Sequence, residues 1–246
     1  MSNNTIYLVT GTNRGIGKHI VSALVQRPST TVIATLRDPS FTFTDISTHP
    51  TSKLVPIVLN DKIPEISYAS LPFRLSLIVD HIDIVIANAG YASGFRAIQN
   101  TDIDDIVTDL QVNTIGVVKL FSAVQKLLLS EGRKGEKKFV LISSNLASIG
   151  GRPEVPSASY SISKAAANQF ARMASVEFRG EGLSVGIFHP GWVRTAMGHD
   201  LADVLNRKEP PLSAEESAAR IIELTDKLDL ETSGKFLDSQ GQELPW

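Results

Sequence analysis

Cysteine is absent from the 246 residues, which excludes disulfides and thiolate metal sites. An excess of one charge is absent too: 24 Lys and Arg face 26 Asp and Glu, a formal net charge of -2. Such a balance speaks against a protein that grips nucleic acid through basic charge. No apolar run approaches the roughly 20 residues of a membrane span. The N-terminal Met1-Ser2-Asn3-Asn4-Thr5 lacks the basic and apolar stretches of a signal peptide. The histidines, His19, His49, His81, His189 and His199, show no ligand spacing, so no metal is expected. There is no repeat and no low-complexity tract. The expectation is a cytoplasmic protein with neither nucleic acid nor membrane among its partners.

What is present is regular. Apolar residues make up 42% of the chain, an ordinary share for a globular protein. Short apolar runs of strand type lie at 6–9, 31–35, 54–59, 82–87, 138–143, 183–188 and 235–237. Helical patterns fall between them at 16–26, closed by Pro28, and at 102–129, 156–179 and 213–228. Ser213 followed by Glu216 predicts a capping box. The stretch 38–53 is polar, rich in Thr, Ser and Pro, and reads as a loop. Strands buried on both faces and separated by helices imply a parallel sheet with right-handed crossovers. The predicted class is α/β: a single doubly wound domain over 1–246, with seven parallel strands and helices on both faces. Ligands of such folds bind beyond the carboxyl ends of the strands.

Just there the sequence carries chemistry. The first strand runs into Thr10-Gly11-Thr12-Asn13-Arg14-Gly15-Ile16-Gly17. Gly11 permits a tight turn, Gly15 lets the backbone approach a phosphate, and Gly17 lets the helix pack on the strand. The helix N-terminus then offers free N–H groups to a pyrophosphate. At the end of the second strand stand Leu36 and Arg37, where an acidic residue would bind ribose hydroxyls. Arg37 and Arg14 together would attract a further phosphate. Tyr160 and Lys164 are spaced i,i+4, one turn apart on one helix face. A neighbouring ammonium favours phenolate, which suits Tyr160 to exchange a proton. The fifth strand ends in Ile142-Ser143-Ser144, where a hydroxyl can donate to a developing alkoxide. Asn113 is a poor helix former lodged inside the 102–129 pattern.

These motifs, with Asn88-Ala89-Gly90 and Pro190-Gly191-Trp192-Val193-Arg194-Thr195, resemble the short-chain dehydrogenase/reductase family over nearly the whole chain. Tyr7-Leu8-Val9-Thr10-Gly11, Arg37-Asp38-Pro39 and Ser163-Lys164-Ala165-Ala166-Ala167-Asn168 look most like its fungal ketoreductase and carbonyl-reductase members. The resemblance implies a Rossmann-type oxidoreductase that reduces a ketone or aldehyde by hydride transfer, with Tyr160 as proton donor. Its catalytic group would be Asn113, Ser144, Tyr160 and Lys164, Asn113 perturbing its helix and holding a water that relays protons to Lys164. The usual spacing to the Tyr falls on Ala147, so Ser148 and Ser144 compete; the strand end favours Ser144.

Both arginines match basic positions of NADP-preferring members, so NADP(H) is the expected cofactor. Gly11, Asn13, Arg14, Gly15, Ile16, Gly17 and Arg37 would hold its phosphates and Asn88, Ala89 and Gly90 its ribose side. Tyr160, Lys164, Pro190, Gly191, Val193 and Thr195 would meet the nicotinamide end. Asn60 or Asp61 would touch adenine, with Asn60 preferred. Tyr91, Phe95, Leu146, Trp192 and Met197 suggest an apolar, partly aromatic substrate pocket, with the loop 198–211 as a lid. The expected partner is a small-molecule carbonyl or alcohol. A homodimer or homotetramer is expected through the helices at 102–129 and 156–179. A redox sensor that binds NAD(P) without turnover and an NAD-dependent alcohol dehydrogenase stand as alternatives.

Overall fold

The computed structural model describes residues 4–130 and 135–246. Its strands are β1 (Thr5–Val9), β2 (Thr30–Leu36), β3 (Lys53–Val58), β4 (Ile84–Ala87), β5 (Lys138–Ile142), β6 (Ser184–Phe188) and β7 (Phe236–Leu237). They pair in parallel throughout, in the order β3-β2-β1-β4-β5-β6-β7. The order reverses between β1 and β4, and that switch point is where a doubly wound sheet opens a crevice.

The two-residue period of the strands divides the core in two. From β1, Ile6 and Leu8 point to one face and Tyr7 and Val9 to the other; β5 does the same with Phe139 and Leu141 against Val140 and Ile142. Helices cover both faces. On one side α2 (Leu71–Ser76), α4 (Gly116–Leu128) and α5 (Ala158–Glu177) bring Leu71, Leu75, Leu120, Phe121, Ala167 and Ala171. On the other, α1 (Gly15–Leu24) and α7 (Ala214–Lys227) bring Ile20, Leu24, Ile221 and Ile222. Every residue of β2, β5 and β6 is buried, as two covered faces require. Among the described residues no helix is long and apolar enough to cross a membrane.

Local signals set several boundaries. The capping box forms at α7: Ser213 Oγ accepts from Glu216 N, and Ser213 N donates to Glu216 Oε2. The 102–129 pattern, expected to be perturbed at Asn113, is α3 (Ile103–Leu110), a π turn over Gln111–Ile115, and α4. One expectation needs correction. The stretch 198–211 is not all loop, because it lies partly in α6 (Ala196–Val204). Thr195 starts that helix by accepting a hydrogen bond from Gly198 N on its hydroxyl. The short α2 and the turn Pro64–Ile66 were not expected; neither is long enough to show a period.

Beyond β7 the chain doubles back onto the sheet. Leu244 N donates to Phe236 O, and the Trp246 ring lies 5.6 Å from that of Phe236. The Ser148 hydroxyl donates to Pro245 O, and Gly150 N donates to Trp246 O. Residues 245 and 246 therefore strap down the 148–151 turn.

Candidate active site

A cavity of about 1390 Å³ opens past the carboxyl ends of β1, β4, β5 and β6. The β1–α1 loop forms one end of it. Thr10 Oγ1 accepts from Asn88 N and Ala89 N, while Asn88 Nδ2 donates to Thr10 O and Gly11 O. Thr12 ties the loop to β2 through two bonds to Thr35 O. Asn88 thus holds the loop in shape as well as lining the cavity. Gly11 has φ +69°, and a Cβ there would lie 2.8 Å from Ala89 Cα. A Cβ on Gly17 would lie 2.3 Å from Gly11 O. Arg14 at the α1 N-cap makes no side-chain cap, so the first N–H groups stay available to an anion. A cradle that any side chain would fill, beside a free helix N-terminus, fits a dinucleotide pyrophosphate.

Arg37 follows β2 at the rim and is exposed. Asp38 does not engage it: its carboxylate accepts from Ser40 N and Oγ at 2.9 and 2.7 Å. Asn60 and Asp61 both line the cavity; Asp61 is paired with Lys119, and Asn60 Oδ1 accepts from Lys62 N.

At the other end lie the chemical groups. Tyr160, Lys164 and Ser144 are buried and line the cavity together. Lys164 Nζ donates to Ile142 O at 2.9 Å and lies 5.8 Å from the Tyr160 ring centroid. Burial pushes Lys164 down to about 8, with the Asp109 carboxylate opposing. Burial also pushes the Tyr160 phenol well above its ordinary value; the Ser144 side chain works against that and Asp109 adds to it. In this setting Tyr160 carries its proton at neutral pH and Lys164 carries its charge. Ser144 sits two residues past β5, with Oγ accepting from Leu146 N. Its neighbour Ser143 gives its hydroxyl to Asn168 Oδ1. Ser148 does not line the cavity; its hydroxyl is taken by Pro245 O and Gly151 N.

Asn113 alone among the expected site residues is not a lining residue. It is fully buried in the π turn, where Nδ2 donates to Tyr91 O and Ser163 Oγ and Oδ1 accepts from Tyr91 N. A Cβ on Gly90 would lie 3.4 Å from Lys164 Nζ and 3.6 Å from Asn113 Oδ1, so these groups share one corner. After β6, Pro190, Gly191, Val193 and Thr195 line the cavity, and Thr195 packs against Gly15. His189 lines it as well, but burial pushes its ring down to about 4, so it is neutral at pH 7.

The expected substrate residues Tyr91, Phe95, Leu146, Trp192 and Met197 all line the same cavity. Phe95, Leu146 and Tyr160 form an apolar cluster joined by Ala92, Val155, Met197 and Leu201. Sequence reasoning missed Arg194, Arg207 and Lys208, which also line it. Arg207 and Lys208 are adjacent basic residues within a stretch expected to contact substrate and act as a lid, and Arg194 lies inside the motif that runs from Pro190 to Thr195.

Residues 5–205 match the family model described as short chain dehydrogenase. The norsolorinic acid ketoreductase nor1 of Dothistroma septosporum is 34% identical, covering 100% of this chain and 94% of that one. The short chain dehydrogenase gsfK of Penicillium aethiopicum is 35% identical, covering 97% and 98%. Among solved structures, the NADPH-bound carbonyl reductase from chicken fatty liver superposes with a TM-score of 0.82 at 31% identity, covering 99% of each chain. With a matched model over most of its length and relatives of this likeness, the chain belongs to the short-chain dehydrogenase family.

Proposed function

We propose that the protein reduces a ketone or aldehyde to the alcohol with NADPH, Tyr160 supplying the proton. The observation that carries this reading is the joint burial of Tyr160, Lys164 and Ser144 in a cavity whose other end is the phosphate cradle. The cradle would hold the pyrophosphate, with Arg14 and Arg37 on the 2′-phosphate and Asn60 towards adenine. Asn88, Ala89 and Gly90 would flank the ribose, and Pro190, Gly191, Val193 and Thr195 the nicotinamide end. Bound there, NADPH supplies the hydride. The Ser144 hydroxyl donates to the substrate oxygen, and the Tyr160 hydroxyl gives its proton to that oxygen as charge develops. The Lys164 ammonium stabilises the phenolate that remains. Asn113 and the π turn hold a water that returns a proton towards Lys164. The NADPH-bound neighbour and the relative named for norsolorinic acid support the cofactor and the carbonyl.

The test is a panel of ketones and aldehydes, norsolorinic acid and aryl ketones first because the pocket is apolar, with NADPH or NADH, followed by absorbance. Binding of NADPH without carbonyl-dependent oxidation across the panel sinks the reading. Exposed Ile103 and Val107 on α3 and Ile162, Met173 and Val176 on α5 support a homodimer or homotetramer through these helices, which light scattering decides.

Cofactor choice has its own test. Arg37→Asp is expected to raise the KM for NADPH about tenfold or more and to lower that for NADH, the scale of one charged hydrogen bond. An unchanged preference places the 2′-phosphate on Arg14 alone.

A further inference from the structure

α3 is built inside out. Ile103 and Val107 face solvent, and its one buried residue is an aspartate, Asp109, with no exposed surface. A buried carboxylate is costly unless something answers it. Asp109 Oδ1 accepts from both Ser93 N and Ser93 Oγ at 2.9 Å, while Oδ2 has no hydrogen-bond partner. The neighbouring turns repeat the pattern. Asp105, four residues earlier, pairs with Arg96, and Asn113, four residues later, clamps both backbone groups of Tyr91. Three polar residues at intervals of four thus hold the segment that carries Tyr91 and Phe95 into the cavity.

We propose that Asp109 is a positioning residue of the active site, gripping the 91–96 segment through Ser93 and setting a carboxylate beside Tyr160 and Lys164. The proposal rests on the reading of Tyr160 and Lys164 as the proton-transfer pair. Arg96 is already paired with Asp105, and Arg152, ahead of α5, is taken up by Ser161 Oγ and Val155 O. Among the described residues the other titratable groups packed here are Asp105, paired with Arg96, and Tyr91, while Asp109 keeps Oδ2 without a hydrogen-bond partner. Its charge favours the protonated form of both Tyr160 and Lys164. It thereby keeps the donor loaded.

The test separates charge from grip. Asp109→Asn keeps the acceptor for Ser93 and removes the charge. Lysine labelled at Cε reports the Lys164 titration by NMR, assigned by the signal lost in Lys164→Arg. The wild-type midpoint is expected near 8, and that of Asp109→Asn about one unit lower. Overlaid curves overturn the charge. Should Asp109→Asn fail to fold, Asp109→Leu, which removes the carboxylate together with the acceptor for Ser93, must show the same fall. Ser93→Ala retains the charge; it is expected to leave the titration in place and raise the carbonyl KM about threefold to tenfold. The backbone bond from residue 93 survives this change, so an unchanged KM overturns the part of the grip assigned to the Ser93 hydroxyl. The titration needs no turnover, so an inactive wild type would sink the proposed reaction without touching the charge.

Discussion

Tyr160→Phe is expected to fold, to bind the dinucleotide and to lose roughly 10²–10⁴-fold in kcat, the usual contribution of a positioned general acid. The substitution removes one buried oxygen and leaves the ring. The edge-to-face contact with Phe95, at 6.0 Å between centroids, survives, as does the cluster with Leu146. A large loss therefore reports the proton and not the packing. The wild type should also slow in the reduction direction as pH rises past about 8, where Lys164 gives up its charge. Tyr160→Phe should show no such limb. Steady-state rates at saturating NADPH, from neutral pH upwards, check both statements. Retention of a tenth of the wild-type rate would remove Tyr160 from the role of acid.

The second large effect falls on Ser144. Its replacement by Ala is expected to cost about 10²-fold or more in turnover, the scale for one donor to a developing oxyanion. Ser148→Ala should cost less than tenfold in turnover and show instead as a lower Tm. The geometry separates them. Ser144 lies two residues past β5 and lines the cavity, whereas Ser148 spends its hydroxyl on Pro245 O and Gly151 N. The reverse ranking would mean that the 144–151 segment shifts when substrate binds and brings Ser148 inward.

Much of this was readable before any coordinates. The strands were visible because burial on both faces makes apolar runs, and their crossovers admit only one hand. The loop from Gly11 to Gly17 was visible because sterics exclude other residues from its close approaches. Tyr160 and Lys164 were visible because one helical turn aligns them. The disturbance at Asn113 was expected, but its form as a π turn was not visible, since it is stabilised from outside: Asn113 reaches Tyr91 and Ser163, far away in sequence. The helix α6 was hidden by Gly198 in its first turn, a poor helix former that the Thr195 cap offsets. Asp109 was the least legible. Beside Asp102, Asp104 and Asp105 it reads as one more solvated charge, and only its burial and its bonds to Ser93 show that its side faces inward.

The strap over the 148–151 turn makes the wall of the pocket depend on residues remote in sequence. The support for the wall between Ser144 and Tyr160 comes from residues more than eighty positions after it. A proteolytic nick that removes residues 245 and 246 would take away the acceptors of Ser148 Oγ and Gly150 N while leaving Asn113, Ser144, Tyr160 and Lys164 in the chain. The turn that joins two of them would then have nothing beneath it.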